Sequence, residues 1–399
     1  MSRFLCVGDL HLDKGGRYGR APGERLAEQE AVWSRALELA RDHDVDAVLF
    51  AGDAFEKRHP STDALLAFER PLLWHRQLDG PPVIAIPGNH DRSGVSEWCA
   101  LDVFAEAGLI YLYSRPTVWD PVGESSGVLD GPAVACLPWA PVSRIVAAHD
   151  GELDRDDVNQ AAAELLVQTA RELRESVTGP CVLLTHFSVS GAVTPDGADV
   201  GMFREPVLPV TELEAIGFEA IVAGHIHKPQ PLTREIAPAF YVGSPMPLDF
   251  GEARCEHGVW VLHTSGRVGA EFLPIESRPF VTIDIDADQA ADARTAPDAW
   301  VDADVAGAFV KVRLRGREES VRALDPAGIR TALLLEDDGA HNVWVETQVE
   351  RETRARVDGV DETTDDTVIF DRWLQAESIN GDQAQPLRRL HTDYLTEIR

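Results

Sequence analysis

The amino-acid sequence predicts an α/β fold over residues 1–277, a smaller α+β unit over residues 278–357, and a linker with a helical tail over residues 358–399. In the first part, apolar runs of strand length alternate with amphipathic helical segments. In the second part, apolar and polar residues alternate along the strands, which is typical of a sheet with one face in water. A run of acidic residues then separates the tail.

The composition indicates a soluble globular protein, with 44% hydrophobic and 26% charged residues. No apolar run approaches the roughly 18 residues of a membrane span. We expect the first residues to run straight into a strand and to be too short in their apolar part for a signal peptide. The cysteines are scattered: Cys6, Cys99, Cys136, Cys181 and Cys255. We expect them to be reduced core residues of a cytoplasmic protein.

The net charge of −30 argues against sequence-independent binding of nucleic acid over the whole surface. It does not exclude a nuclease, because a catalytic metal site itself concentrates carboxylates and a partner subunit can supply the basic surface.

The first predicted strand, Phe4–Val7, ends in Gly8-Asp9-Leu10-His11. In extended backbone alternate side chains point the same way, so we expect Asp9 and His11 to converge. A helix is predicted next, at about residues 25–41.

The second and third predicted strands also end in polar residues. Asp46–Ala51 is followed by Gly52-Asp53, where glycine removes a side chain at a point of close backbone approach. Val83–Ile86 stops at a Pro-Gly turn and delivers Asn89-His90-Asp91. The turn holds this polar trio at the rim of a rigid sheet, where catalytic groups are well placed.

Two predicted helices near these strands, at residues 61–77 and 95–107, carry more large apolar residues than one packed face needs. Core packing and a homodimer contact explain this equally well.

Two later strands repeat the arrangement. Cys181–Thr185 is followed by His186, and Ala220–Ala223 is followed by Gly224 and then by His225 and His227, whose i, i+2 spacing again aims two imidazoles at one place. Between these strands, residues 191–209 are rich in Gly, Pro and Asp and are predicted to form a long surface loop.

Polar residues therefore close five apolar strands in order along the chain: Asp9, His11, Asp53, Asn89, His90, His186, His225 and His227. Mixed carboxylate, imidazole and amide ligands suit manganese, iron, zinc or nickel. A carboxylate from a glycine-flanked turn, such as that of Asp53, can bridge two divalent ions. A histidine beside such ions but not bound to them can protonate a leaving alkoxide. We take His90 as this candidate, with Asp91 orienting or charging its imidazole.

The second part reads as strand, strand, helix, strand, and Asp325-Pro326 is a favourable helix start. Its basic row, Lys311, Arg313 and Arg315, is explained better by a solvated strand face than by a DNA contact. Two tail helices are predicted, the second with Leu387, Leu390, Tyr394 and Ile398 on one face. These two helices either pack against the rest of the protein or bind a helix of a partner protein. We slightly favour the second alternative.

The motifs Asp-x-His, Gly-Asp, Gly-Asn-His-Asp, a histidine after a strand, and Gly-His-x-His, in this order, resemble those of the calcineurin-like metallophosphoesterase superfamily. Further stretches resemble its SbcD-type nucleases, which are related to the Mre nucleases: residues 136–139, 224–230 and 241–248. This chain has Leu10 where the family commonly has Trp, and Glu56 where Asp or His often follows the second motif.

The resemblance implies a four-layer α/β/β/α sandwich with a small capping domain that faces DNA. It implies two divalent ions, with manganese as the working metal. One ion would be held by Asp9, His11, Asp53 and His227. The other would be held by Asp53, Asn89, His186 and His225.

The resemblance also implies partners and an activity. Residues 61–77 and 95–107 would form a homodimer, and the tail helices would bind the coiled coil of an SbcC-type ATPase. The reaction would be 3′-to-5′ exonuclease action on double-stranded DNA and endonuclease action on single strands or hairpins, in DNA repair or recombination.

Other function classes are compatible with parts of the pattern. A phosphoesterase acting on small phosphodiesters such as cyclic nucleotides would use the same metals, although the cap and the tail helices disfavour it. A protein phosphatase is disfavoured because residues Gly52–Lys57 lack the Asp-Arg-Gly sequence that would make them resemble that group of enzymes. A scaffold with a vestigial site is disfavoured because no ligand position is missing.

Overall fold

The computed structural model describes residues 2–92, 98–120, 131–148, 155–233, 237–264, 268–290, 304–335, 339–350 and 365–397. The strands are β1 (Arg3–Val7), β2 (Ala47–Phe50), β3 (Val83–Ala85), β4 (Tyr111–Leu112), β5 (Thr117–Trp119), β6 (Ala133–Leu137), β7 (Cys181–Thr185), β8 (Ser188–Val189), β9 (Val207–Leu208), β10 (Ala220–Ala223), β11 (Gln230–Thr233), β12 (Ala239–Tyr241), β13 (Gly258–His263), β14 (Gly269–Pro274), β15 (Phe280–Asp286), β16 (Phe309–Gly316) and β17 (Asn342–Val349). The helices are α1 (Glu24–Asp42), α2 (Thr62–Gln77), α3 (Asp102–Glu106), α4 (Val142–Ile145), α5 (Arg155–Glu175), α6 (Val210–Ile216), α7 (Ala287–Ala290), α8 (Glu318–Ala323), α9 (Pro326–Leu335), α10 (Asp366–Ala376) and α11 (Ala384–Glu397).

Two six-stranded sheets form the centre of the fold. The first has the order β14-β13-β1-β2-β3-β4, and β1 to β4 are parallel while β13 and β14 are antiparallel. The second has the order β11-β12-β10-β7-β6-β5, with a parallel centre and antiparallel strands at both edges. The parallel strands are buried on both faces, which explains why they are nearly continuous apolar runs in the sequence.

The core of the two-sheet sandwich, as far as the described residues show it, lies in three apolar layers. Side chains from both sheets, such as Phe4, Leu49 and Val182, pack together in one cluster. A second cluster joins α1 and α2 to the other face of the first sheet, and a third joins α5 to the other face of the second sheet. This arrangement confirms the four-layer α/β/β/α sandwich.

The helices of the first sheet are fixed by an aromatic contact and a cap. Trp33 of α1 and Phe68 of α2 are fully buried and stack with ring centroids 5.5 Å apart and an angle of 2° between the planes. The Ser61 hydroxyl accepts a hydrogen bond from the Ala64 backbone N–H at 3.2 Å, which satisfies one free donor at the start of α2.

Most predicted elements are present with ends shifted by one or two residues. The predicted helix over residues 95–107 is shorter: residues 98–101 form no helix, α3 begins at Asp102, and residues 93–97 lie outside the described part. The edge strands β11 and β14 and the helices α6 and α8 were not predicted, because their sequences mix apolar and polar residues without a regular period.

The chain forms two compact units. One comprises residues 1–283, 297–312 and 327–345, and the other comprises residues 284–296, 313–326 and 346–399. The strands β15, β16 and β17 form a three-stranded sheet in that order, and α9 begins at Pro326 as predicted. The division into residues 1–277, 278–357 and 358–399 stays a prediction.

The predicted basic row on β16 is occupied by contacts within the protein. Asp284 forms ion pairs with Arg313 at 2.7 Å and with Arg315 at 3.4 Å. The Lys311 ammonium lies 4.5 Å from the centroid of the Phe250 ring. These contacts agree with the structural explanation that we favour for this row.

The tail helices α10 and α11 pack against each other. The rings of Phe370 and His391 stack at 4.1 Å, and Arg388 pairs with Asp371 at 2.7 Å. Of the predicted apolar face of α11, Leu390 is 68% exposed and Tyr394 is 60% exposed, while Ile398 lies outside the described residues. Across the described parts of the chain, no helix is both long enough and apolar enough to cross a bilayer.

Candidate metal centre

The carboxyl ends of β1, β2 and β3 in one sheet and of β7 and β10 in the other deliver their polar residues to one place. Four of these side chains are almost fully buried: Asp9, His11, Asp53 and His186. Three groups have possible ligand atoms within 4.8 Å of one another, and these are Asp9 with His11 and His227, His11 with Asp53 and His90, and Asp9 with Asp53 and His186. The predicted site residues are therefore brought together.

The local backbone differs from the extended conformation that we expected after β1 and β10. Asp9, His11 and His225 have φ values of 50°, 44° and 100°, so side-chain alternation along a strand is the wrong explanation for their convergence. Hydrogen bonds hold the turn after β1, from Asp9 N–H to the Gly52 carbonyl at 2.9 Å and from His11 N–H to the Asp53 carbonyl at 3.1 Å.

Two glycines allow the loops to approach. Gly52 has φ of 94°, and a Cβ there would lie 2.7 Å from His186 Nδ1. A Cβ at Gly88 would collide with the Asp53 carboxylate. The close approach expected at Gly52 is confirmed, and any larger side chain at either position would displace the site residues.

One half of the site contains two imidazoles that face each other. The Nε2 atoms of His11 and His227 are 3.0 Å apart. The Nδ1 atom of His11 lies 2.9 Å from the Glu56 carboxylate, and the Nδ1 atom of His227 lies 2.7 Å from the Glu252 carboxylate. Since a carboxylate accepts the Nδ1–H of each ring, both Nε2 atoms present lone pairs to the same point.

The other half of the site also collects acceptor atoms. His186 Nδ1 donates to the Ala51 carbonyl at 2.6 Å, and its Nε2 lies 3.1 Å from Asn89 Oδ1 and 3.3 Å from Asp53 Oδ2. His225 Nε2 lies 3.0 Å from Glu205, and its Nδ1 lies 3.1 Å from the same oxygen of Asn89.

Lone pairs that face each other at these distances repel unless a cation lies between them. The donor atoms are imidazole nitrogens, carboxylate oxygens and one amide oxygen, which is a set that suits manganese, iron or zinc. The Asp53 carboxylate lies between the two halves, 3.5 Å from His11 Nε2 and 3.3 Å from His186 Nε2. The residues present therefore fit a pair of divalent metal ions.

The pKa shifts of the buried histidines and of Asp53 also fit a site for metal ions. Burial lowers the pKa of His11, which favours the neutral imidazole that a metal ligand needs. Burial alone would raise the pKa of Asp53, but the nearby His186 and His11 outweigh it and lower that pKa. Burial opposes a charge on His186, yet Asp53 raises its pKa to about 9. The electron-rich cluster thus attracts a proton, which a metal ion must displace.

His90 lies at the rim of this cluster. Its side chain is 36% exposed, its backbone N–H donates to Asp53 Oδ1 at 2.8 Å, and its Nδ1 donates to the Glu56 carbonyl at 2.9 Å. Nε2 is therefore the ring atom left for proton transfer.

Asp91 does not orient that ring as we expected. No hydrogen bond or ion pair joins it to the His90 imidazole within the described residues. Its buried carboxylate accepts the backbone N–H groups of Gly88 at 3.0 Å and Phe55 at 3.2 Å. Burial and the nearby Asp53 raise the pKa of Asp91 to about 7. This residue joins the loops that follow β2 and β3.

Three glutamates beside the histidines were not predicted as site residues. Glu56 stood out in the sequence only as a departure, and Glu205 and Glu252 lie in irregular segments without a motif. The signal that could have found them is chemical, since a ligating histidine usually donates its second ring N–H to a carboxylate or a carbonyl.

Comparisons with known proteins give the following matches. A sequence profile of the calcineurin-like phosphoesterase family matches residues 2–229. The D component of the nuclease SbcCD from Escherichia coli K12 is 24% identical over 98% of both chains. The DNA double-strand break repair protein Mre11 of Haloferax volcanii is 28% identical, over 80% of this chain and 63% of that protein. The D component of the nuclease SbcCD from Bacillus subtilis is 26% identical over 63% of both chains. Every predicted site residue, from Asp9 to His227, falls within the matched segment.

Proposed function

Since this chain belongs to the calcineurin-like phosphoesterase family and is a metal-dependent phosphodiesterase, we propose that it is the nuclease subunit of a DNA repair or recombination complex. The observation that carries the proposal is the Asp53 carboxylate, held between two groups of inward-facing histidine nitrogens. A two-metal centre of this kind is suited to phosphoester hydrolysis. One relative is named as a nuclease subunit and another as a DNA double-strand break repair protein, and these names support DNA as the substrate.

We assign the metal ligands as follows. One ion, manganese in our proposal, would be held by Asp9, His11, Asp53 and His227. The second would be held by Asp53, Asn89, His186 and His225. When bound, such ions polarise the phosphoryl oxygens and lower the pKa of a coordinated water.

The protein supplies the remaining steps. Asn89 and the histidines would hold the ions at the place where a scissile phosphate has to bind. His90 lies at the exposed rim with Nδ1 occupied, so its Nε2 can deliver a proton to the leaving 3′ or 5′ oxygen of the nucleotide. Gly88 and Asp91 keep the loop that carries His90 against Asp53.

The proposed activity is 3′-to-5′ exonuclease action on double-stranded DNA with endonuclease action on single strands or hairpins, in the cytoplasm. We assign the tail helices α10 and α11 to an SbcC-type ATPase with a coiled coil. The exposed Leu390 and Tyr394 support this assignment, because a partner helix can cover them.

We also assign a homodimer contact to the region of α2 and α3. Trp74 is 60% exposed, Trp98 is 66% exposed and Val103 is 61% exposed. Large apolar side chains that are exposed to water favour association with a second copy.

The test is hydrolysis of end-labelled linear duplex DNA with Mn²⁺, beside bis-p-nitrophenyl phosphate as a small diester. We expect degradation of the duplex by the wild type, loss of it in Asp53→Asn, and full activity in Asp63→Asn, which alters an exposed carboxylate of α2. The assay is run with and without an SbcC-type ATPase. Hydrolysis of the small diester alone, even with the ATPase, would favour an enzyme of small phosphodiesters. Inactivity on both would favour a scaffold.

A further inference from the structure

Glu252 is a buried carboxylate outside the predicted ligand set, and it lies in the irregular segment between β12 and β13. It is 3% exposed. Its Oε1 lies 2.7 Å from Nδ1 of His227. We propose that Glu252 is a positioning residue that fixes His227 for the metal centre. This inference rests on the proposed two-metal function.

The other oxygen of Glu252 is held by its own segment. Oε2 accepts the Leu248 backbone N–H at 2.9 Å and the Ser244 hydroxyl at 3.1 Å. The Glu252 carbonyl lies 3.3 Å from Nε2 of His257, whose Nδ1 lies 3.0 Å from the Ser244 carbonyl. These contacts fix the Glu252 carboxylate independently of His227, so the carboxylate can impose an orientation on the His227 ring.

The hydrogen bond decides which ring nitrogen faces the metal centre. An ionised carboxylate is only an acceptor, so in the neutral imidazole Nδ1 of His227 carries the proton and Nε2 keeps its lone pair. That lone pair points at Nε2 of His11, 3.0 Å away. A carboxylate on the far side of the ring also makes the imidazole a stronger base and a stronger ligand.

Burial separates Glu252 from the other two glutamates. The side chains of Glu56 and Glu205 are 28% and 33% exposed, whereas that of Glu252 is 4% exposed. A charge that is shielded less by water interacts more strongly with its neighbour. We therefore expect the largest effect on metal affinity from Glu252.

The experiment is calorimetric titration of the full chain with Mn²⁺. We expect Glu252→Gln to weaken one class of site by about 10- to 100-fold, the usual effect of losing such a partner. Glu256→Gln changes an exposed carboxylate four residues further on and should bind Mn²⁺ like the wild type. Ser244→Ala removes a contact of Glu252 but leaves the bond to His227, and should change the affinity less than Glu252→Gln.

Repeating the titration in the His227→Ala variant separates a positioning role of Glu252 from a general effect of Glu252 on protein stability. In His227→Ala the ring that Glu252 orients is gone, so adding Glu252→Gln should change the remaining Mn²⁺ affinity by less than about twofold, because the two residues act as a unit. The same large loss in both backgrounds would overturn the inference, as would wild-type affinity in Glu252→Gln.

A measurement on the wild type keeps the inference testable if the variants fail to fold. Long-range ¹H–¹⁵N spectra of the histidine rings, with Zn²⁺ as a diamagnetic probe, should show His227 protonated at Nδ1. Protonation at Nε2 overturns the inference and leaves the proposed nuclease standing. If the wild type binds no Mn²⁺ at all, the two-metal function itself fails, and this inference fails with it.

Discussion

The Asp53 carboxylate, in the loop after β2, lies 3.3 Å from Nε2 of His186, which follows β7 in the other sheet. This pair joins the two sheets at the candidate site. The two sheets pack through a continuous apolar layer, so their edges hold the pair in a rigid frame.

Asp53→Asn should remove tight Mn²⁺ binding from both halves of the site, because one carboxylate lies beside the histidines of both. We expect the dissociation constants to rise by about 100-fold or more, since losing a ligand costs more than losing its supporting partner. Calorimetric titration should show His227→Ala and His225→Ala each weakening only one class of site. Equal loss of one class in all three variants would contradict a bridging position for Asp53.

The positions of the site residues could be predicted from the sequence because parallel strands place their carboxyl ends at one edge. The runs before Asp9, Asp53 and His186 are apolar on both faces and end abruptly, which fixes where each polar residue emerges. Side-chain alternation along a strand was nevertheless the wrong reason for the convergence of Asp9 and His11. Their φ values are positive, and the turn that contains them is held by hydrogen bonds to the loop after β2. Local sequence does not encode such a long-range hydrogen bond.

The supporting glutamates could not be predicted in the same way. Glu252 contacts His227 from 25 positions away, and Glu205 contacts His225 from 20 positions away. Both lie in irregular segments where no periodicity fixes the direction of a side chain. Their roles become visible only when the fold brings the two segments together.

His90→Gln tests the proposed proton donor. We expect kcat on DNA to fall by about 10²- to 10⁴-fold, the usual contribution of a general acid, with little change in Mn²⁺ affinity. The loss on bis-p-nitrophenyl phosphate should be much smaller, because nitrophenolate leaves without needing a proton. The exposed His59→Gln is the matched control. A similar loss on both substrates would show that His90 acts before the leaving group departs.

Leu72 and Leu73 are neighbours on α2 with opposite environments, 1% and 40% exposed. Leu72→Ala should lower the free energy of unfolding by about 2–5 kcal/mol, because it leaves a cavity in the layer between α2 and the first sheet. Leu73→Ala should change it by less than about 0.5 kcal/mol. Urea unfolding at low protein concentration measures both, and an equal loss would contradict this placement of α2.

Trp74→Glu should convert the proposed homodimer into a monomer, because a charge in an apolar contact is costly to bury. Sedimentation velocity at several concentrations gives the mass directly. Tyr394→Glu is a matched control, since that aromatic residue of α11 is also 60% exposed but lies on the tail. A wild type that is monomeric at all concentrations, or a dimer that survives Trp74→Glu, would rule out this surface.

His75 should make stability depend on pH. The side chain is 3% exposed; its Nε2 lies 2.9 Å from the Pro81 carbonyl and its Nδ1 lies 3.2 Å from Arg41 Nη1. A neutral ring satisfies both contacts, donating to the carbonyl and accepting from the guanidinium. Burial, helped by the Arg41 charge, lowers the pKa of His75 below its ordinary value of 6.5.

The unfolded chain therefore binds more protons at this residue than the folded chain when the pH is below about 7. Its contribution to stability is complete above the unfolded pKa and is lost as the pH falls through the window below 6.5. We expect the stability difference between wild type and His75→Gln, from urea unfolding, to be larger at pH 7.5 than at pH 5.5. His59→Gln, which changes an exposed histidine, is the matched control. A difference that is constant, or that grows on acidification, would mean that His75 is charged in the folded protein.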